Sequence, residues 1–368
     1  MGEISAHFDI QHIRYLGSNG KVIGPLPDFA RNVDELTGLY RALVRARTFD
    51  AKAVALQRTG RLGTYASSLG QEAVSIGVAS AMRADDVLVP SFREQGAQLM
   101  RGVTPLELLL YWGGDERGSA FSGPKEDFPV SVPVGSHAPH AAGVALALKL
   151  RREPRAAVCI FGDGATSKGD VAEAVNIAGV WQLPLLFVVV NNQWAISTPR
   201  ERQTAAVTLA QKAIAGGIPG EQVDGNDVIA VRSVTSAALE RARRGDGPSL
   251  IEALTYRLAD HTTADNASRY RDDRMVAERW QDEPLVRLRR YLTDGGHWTK
   301  KDEEQLLRQT AAELDVAVAE YLATGPQRPE SIFEYTYASM PTDLVAQRDA
   351  MLSLQSSRPE KVSEGQPS

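Results

Sequence analysis

The chain has 368 residues, 41 Lys+Arg against 46 Asp+Glu for a formal net charge of −5, and 43% apolar and 24% charged residues. That is an ordinary globular composition, and its acidic balance argues against a nucleic-acid partner, since Arg151-Arg152 and the cluster from Arg241 to Arg244 fall at helix ends, where cations favour the dipole. A single cysteine, Cys159, excludes a disulfide framework and a Cys-rich metal site, and no run approaches the roughly 20 apolar residues of a membrane helix, so a soluble cytoplasmic protein with no membrane partner is expected.

Residues 1–33 mix polar, Gly and Pro residues without a period and read as an N-terminal arm lying on something else. From Asp34 the spacing of Leu36, Leu39, Tyr40, Leu43, Val44 and Ala46 predicts a helix, and a second begins near Gln71 with Ala73, Val74, Ile76 and Gly77. Val87–Val89 reads as a short buried strand. Residues 137–150 predict a small-residue helix that ends before Pro154. AAVCIF (156–161) and PLLFVVV (184–190) are apolar runs of the kind parallel sheets bury on both faces. Between them Val171, Ala174, Val175 and Ala178 keep helical spacing, which makes a βαβ unit. A strand at Gln222-Val223, a helix from Asp227 to Arg244 and a strand from Ser249 to Tyr256 continue the alternation.

The expected fold is therefore α/β, a doubly wound parallel sheet with helices on both faces, spanning residues 34–345. The polar, turn-rich stretch 258–274 is a longer loop than compact domains usually keep without a function. From about residue 284 the chain should be helical, and residues 346–368 read as a flexible tail.

The chemistry concentrates where two strands end. Gly162-Asp163-Gly164 closes the first apolar run and Asn191-Asn192 the second, at the edge where open α/β sheets bind ligands. Asp163 offers a carboxylate, Asn192 an amide oxygen, and the irregular backbone beyond it a carbonyl; such oxygen ligation suits Mg²⁺ held with a phosphate group. Backbone N–H groups of Gly164, Ala165 and Thr166, leading into a helix from Lys168, suit a diphosphate. Alone, Gly-Asp-Gly is most often a turn and Asn-Asn a cap. Together, closing strands separated by one helix, they point to a phosphate–metal site.

GDGATSKGD, with Asn192 lying 29 residues beyond Asp163, resembles the thiamine diphosphate motif in alpha subunits of the first, decarboxylating components of 2-oxo acid dehydrogenase complexes. RTGRLGTYASSLGQEA (58–73), PSFREQG (90–96), VGSHAPHAAG (134–143), AGGIPGEQVDGNDV (215–228) and DHTTADNASRYR (260–271) have counterparts there in the same order, so the resemblance covers roughly 30–345. It implies that Asp163 and Asn192 coordinate Mg²⁺ through side chains and Trp194 through its carbonyl. Gly164 and Ala165 would hold the diphosphate by backbone N–H groups, assisted by Arg93. Val132 and Val134 match positions whose backbones grip the aminopyrimidine, and His261 matches the active-site histidine on a mobile loop. Phe92 stands where many relatives have tyrosine, so a hydroxyl to phosphate is missing. Trp194 also replaces a tyrosine, a change that a backbone ligand tolerates.

His137 and His140 share a helix face without a carboxylate nearby and read as a helix start, with His137 in reach of substrate. Glu72 is set aside as the cofactor-activating glutamate, because in the resembled family that residue belongs to a separate beta subunit. The resemblance thus implies an α2β2 heterotetramer, incomplete as one chain, that takes a small-molecule 2-oxo acid and serves a lipoyl-bearing dihydrolipoyl acyltransferase. LQRTGRLGTYA and TLAQKAIAGGIPGEQVDGND favour pyruvate, while SHAPHAAG resembles branched-chain versions. Two readings from other classes stand beside it: a non-catalytic, regulatory cofactor-binding subunit, and a Mg²⁺-dependent phosphohydrolase built on Asp163.

Overall fold

The apolar runs form one sheet in the computed structural model, which describes residues 2–356. The strands are β1 (His12–Ile13), β2 (Val87–Val89), β3 (Ala157–Gly162), β4 (Leu185–Asn191), β5 (Trp194–Ala195), β6 (Thr198–Pro199), β7 (Gly220–Asp224) and β8 (Ser249–Leu254). Six of them stand in the order β1-β7-β8-β4-β3-β2, every neighbouring pair parallel, while β5 and β6 make a separate antiparallel pair. The helices are α1 (Val33–Arg58), α2 (Glu72–Ala81), α3 (Gln95–Arg101), α4 (Pro105–Trp112), α5 (His137–Leu150), α6 (Gly169–Val180) and α7 (Lys212–Ala215). After them come α8 (Val228–Arg243), α9 (Asp273–Arg279), α10 (Pro284–Asp294), α11 (Lys300–Ala323), α12 (Ser331–Glu334) and α13 (Thr342–Ser356).

Alternation along the strands sorts side chains to two covered faces. Cys159, Phe161, Phe187 and Val189 pack with α5 and α6, whereas Val158, Ile160, Leu186 and Val188 pack with α2 and α8. Each fully buried aliphatic or aromatic side chain contributes about 1.5–3 kcal/mol, so double-sided burial explains why these strands read as unbroken apolar runs. The doubly wound expectation is met.

The arm at 1–33 does more than lie on the domain, since β1 joins the sheet beside β7. Buried Asp227 holds it there. One carboxylate oxygen accepts the N–H groups of Tyr15 and Leu16, both at 2.7 Å, and the other caps α8 by accepting from Ile229 and Ala230 at 3.1 and 3.3 Å.

Contacts resolve Met1–Tyr321 as one unit and the chain from Leu322 as a second, which carries α12 and α13. Residues 346–356, expected in the tail, are helical within α13, and the rest of the expected tail lies outside the described residues. Helix α9 precedes the helical start expected near 284. No helix among the described residues is long and apolar enough to cross a membrane.

Helices α2 and α8 approach closely at Gly77, where an added Cβ would stand 2.6 Å from Val231 Cγ1 and 3.2 Å from the Arg232 nitrogen. Gly77→Val should lower stability by about 1–3 kcal/mol through overpacking, read as a urea midpoint shift at unchanged slope. A midpoint equal to wild type would show that this crossing has slack.

Candidate active site at the carboxyl edge of the sheet

Strands β3 and β4 pair with Gly162 opposite Val190, which brings the residues after each, Asp163 and Asn191-Asn192, to one edge. A 3₁₀ turn, Asp163–Ser167, intervenes before α6, so the α-helix starts at Gly169 rather than Lys168. The Thr166 hydroxyl tightens it by donating to the Asp163 carbonyl at 2.7 Å. Gly164 is required by proximity, since a Cβ there would lie 2.7 Å from the Ala195 Cβ.

The Asp163 side chain is 2% exposed and accepts from Gln203 Nε2 at 2.8 Å, yet it makes no ion pair among the described residues. Burial pushes its carboxyl above the usual range, and Gln203 with the nearby backbone N–H groups only partly offsets this. A buried carboxylate without a counter-ion carries a desolvation penalty that a bound cation relieves. Asn192 donates Nδ2 to Gln71 Oε1 at 2.8 Å, and its Oδ1 accepts the Trp194 N–H at 3.2 Å. Gln71 Nε2 is buried without a partner among the described residues, a donor that suits an oxygen-rich ligand.

Trp194 and Ala195 are flanked by Gln193 and Ile196, both in left-handed backbone at φ 73° and 56°. Non-glycine residues in that region cost of order 1–3 kcal/mol each unless their surroundings impose it. Arg257 supplies the constraint: fully buried, it donates Nη2 to the Ile196 carbonyl at 2.8 Å and Nη1 to the Trp194 carbonyl at 3.4 Å.

A buried cation also lines the cavity. Buried Arg93 donates Nη1 to the Ser67 carbonyl and Nη2 to the His261 carbonyl, both at 2.6 Å, with Nη2 also 2.9 Å from His261 Nδ1. Arg257 Nη1 stands 3.3 Å from the same Nδ1. Burial, then Arg257, draws the Arg93 guanidinium down to about 10, and burial, then Arg93 and Arg257, draws His261 down to about 4. Glu94, which lines the same cavity, is pushed up to about 7 by burial.

The loop expected to be mobile is tied by the protein's own groups. His261 N–H and the Tyr270 hydroxyl both donate to Asp265 Oδ2, at 2.9 and 2.5 Å, and Arg271 donates to the carbonyls of Arg257 and Leu258 at 2.5 and 3.2 Å. Arg269 stays exposed.

One cavity of about 230 Å³ gathers Phe92, Arg93, Val134, Asp163, Gly164, Ala165, Asn192, Trp194 and His261 on its wall. Val132 is not brought there: it is 55% exposed and off the wall, because the chain turns at Pro133 and Gly135 before α5. His137 does not reach the cavity either, being buried with Nε2 donating to the Ile160 carbonyl at 2.9 Å. The Glu72 carboxylate is engaged by Arg47 and by the Gly70 N–H at 3.0 Å. Sequence reading passed over Gln71, Glu94, Gln203 and Arg257. Arg257 had a signal, a cation directly after a buried strand; Gln203 had none, since it meets Asp163 from 40 residues away.

The described residues hold no group of three or more His, Cys, Asp or Glu that could bind a metal. A metal here would rest on one carboxylate with amide and carbonyl oxygens, hard donors that fit Mg²⁺ rather than zinc.

The dehydrogenase E1 component family matches residues 40–330. The 3-methyl-2-oxobutanoate dehydrogenase subunit alpha of Mycobacterium tuberculosis (strain CDC 1551 / Oshkosh) is 42% identical over 350 residues, covering 93% of this chain and 94% of the relative. The pyruvate dehydrogenase E1 component subunit alpha of Acholeplasma laidlawii is 39% identical over 331 residues, covering 89% and 96%. Its Staphylococcus aureus (strain Mu50) namesake is 38% identical over 338 residues, covering 91% of each.

The low His261 pKa makes loop docking pH-dependent. The docked ring titrates at about 4, and a released ring at its ordinary value of about 6.5. Protons therefore bind the released form more tightly, and docking weakens as pH falls from about 6.5 towards 4. Protection of the Thr263 and Ala267 amides, relative to the sheet, should fall between pH 7 and 5 and stay flat in His261→Gln. A flat profile in wild type would contradict the assignment.

Proposed function

The chain belongs to the dehydrogenase E1 component family, as an alpha subunit of a 2-oxo acid dehydrogenase, and from that premise we propose that it carries the diphosphate- and metal-binding half of a thiamine diphosphate site acting on pyruvate. The observation that carries this reading is the buried Asp163 carboxylate, which makes no ion pair among the described residues and lines one cavity with Asn192, Trp194 and Arg93. Asp163 and Asn192 through side chains and Trp194 through its carbonyl would hold Mg²⁺. The N–H groups of Gly164 and Ala165 and the guanidinium of Arg93 would hold the diphosphate. Val134, on the wall, and Val132, two residues before it, would meet the aminopyrimidine through their backbones.

When bound, thiamine diphosphate supplies the nucleophilic carbon and electron sink that a 2-oxo acid needs to lose CO₂. The chain's own groups orient the reactants. His261 Nδ1 faces two guanidinium donors and can only accept, so the neutral ring carries its proton on Nε2, the nitrogen left to donate towards substrate. Phe92 meets His261 edge-on at 6.0 Å and presents an apolar surface where a hydroxyl would admit water.

The activating glutamate would come from a beta subunit in a heterotetramer of two alpha and two beta chains, working in the cytoplasm and passing the acyl group to the lipoyl arm of a dihydrolipoyl acyltransferase. Segments 56–66 and 208–227 support pyruvate through their likeness to pyruvate dehydrogenase alpha subunits. The second reading, a branched-chain 2-oxo acid, is favoured by 42% identity to the 3-methyl-2-oxobutanoate enzyme's subunit and by Phe92, Val134, Phe161 and Ile196 on the cavity wall.

Co-expression with a beta subunit and assay of cofactor-dependent CO₂ release should give a higher kcat/KM for pyruvate than for 3-methyl-2-oxobutanoate. The reverse ranking would assign the branched-chain substrate. Bound cofactor without turnover of either acid would leave a regulatory subunit, and phosphate release from a phosphoester without the beta chain would indicate a phosphohydrolase. Asp163→Ala should abolish Mg²⁺-dependent cofactor binding, because losing the one anionic ligand costs on the order of 3–5 kcal/mol. Unchanged affinity by calorimetry in a folded assembly would overturn the site.

A further inference from the structure

Asp50, in the second half of α1, is 4% exposed, makes no ion pair among the described residues and is absent from the cavity wall. Its oxygens are nevertheless crowded with donors. Oδ1 accepts the Tyr65 hydroxyl at 3.0 Å, the Ser68 N–H at 2.7 Å and the Ser68 hydroxyl at 3.3 Å, and Oδ2 accepts the Ser67 hydroxyl at 2.6 Å. These bonds hold residues 65–68, a stretch outside any helix or strand. Elsewhere on the stretch the Ala66 carbonyl accepts Gln95 Nε2 at 3.0 Å and the Ser68 carbonyl accepts the Gln71 N–H at 2.9 Å.

Both ends of that stretch reach the site. The Ser67 carbonyl accepts Arg93 Nη1 at 2.6 Å. The Tyr65 carbonyl accepts the Thr263 N–H at 2.9 Å, and the Tyr65 N–H donates to Thr263 Oγ1 at 3.0 Å. Arg93 in turn donates to the His261 carbonyl, which closes the circuit between wall and loop. Only a carboxylate can accept four donors on two oxygens; an amide keeps one acceptor oxygen and makes the Ser67 hydroxyl turn from donor to acceptor. After the nearer Glu94, its negative charge also supports the buried Arg93 cation.

We propose that Asp50 is a positioning residue that sets the 65–68 backbone so that Arg93 and the His261 loop share one geometry. The part of this that concerns cofactor rests on Arg93 as a diphosphate ligand.

The test uses Asp50→Asn in the 368-residue chain with two readings. In hydrogen exchange, the Ser68 and Thr263 amides should exchange about tenfold faster than wild type while those of β3 and β4 are unchanged. In calorimetry of the assembly with its beta subunit, Asp50→Asn should weaken Mg²⁺–thiamine diphosphate binding about tenfold, but less than about twofold in an Arg93→Ala background, since residues acting in one chain are not additive. Equal weakening in both backgrounds, or unchanged Thr263 exchange, overturns the proposal. If β3 and β4 also loosen, Ser67→Ala, which removes only the hydroxyl on Oδ2, decides by the same readings. If wild type binds no thiamine diphosphate, the cofactor assignment fails, and exchange alone decides whether Asp50 fixes the loop.

Discussion

The candidate site depends first on the parallel register between β3 and β4, which sets Gly162 opposite Val190. Slipping one strand by a residue would exchange its two faces. Both faces are apolar, so polarity does not forbid the slip; volume does. Phe161 and Phe187 meet edge to face at 6.3 Å against a helix that offers Ala138, Ala141, Ala142 and Ala145, while on the other face these two strands present the aliphatic Val158, Ile160, Leu186 and Val188. Close packing leaves no room for the exchange, and the backbone at the ends of both strands inherits that precision.

Electrostatics at this edge is the counterpart of the apolar core beneath it. Two buried guanidiniums, Arg93 and Arg257, donate to backbone carbonyls and make no ion pair among the described residues, so Glu94 and Asp50 support the Arg93 charge only through space. Burial first, and then these two cations, draws His261 down to about 4. Arg93 on the cavity wall attracts anions, while Asp163, lining the same cavity, attracts a cation. A metal–diphosphate ligand satisfies both demands at once.

Strands and site motifs were legible in the sequence because burial on both faces writes unbroken apolar runs and because glycine and asparagine mark their ends. The family resemblance added Arg93, His261 and Trp194, which no local pattern singles out. Helix α4 was missed although Thr104, Pro105 and Glu107 spell a capping box with proline at the first position. Asp50 and Gln203 were invisible for a different reason. Each is one polar residue whose meaning lies in donors or carbonyls distant along the chain, and period or spacing says nothing about such partners. Val132, assigned by likeness through its backbone, lies with an exposed side chain off the cavity wall.

The two ends of the sheet are β1, two residues long, and β2, three. A long outer strand would offer a row of unpaired N–H and C=O groups to any passing chain. Here β7, five residues with a pairing edge of its own, is covered by the arm, and Asp227 fastens the cover beside the helix cap it also serves. The same carboxylate that starts α8 thus protects the molecule from strand-to-strand aggregation, so loss of the arm would be felt first as poor solubility rather than as a damaged site.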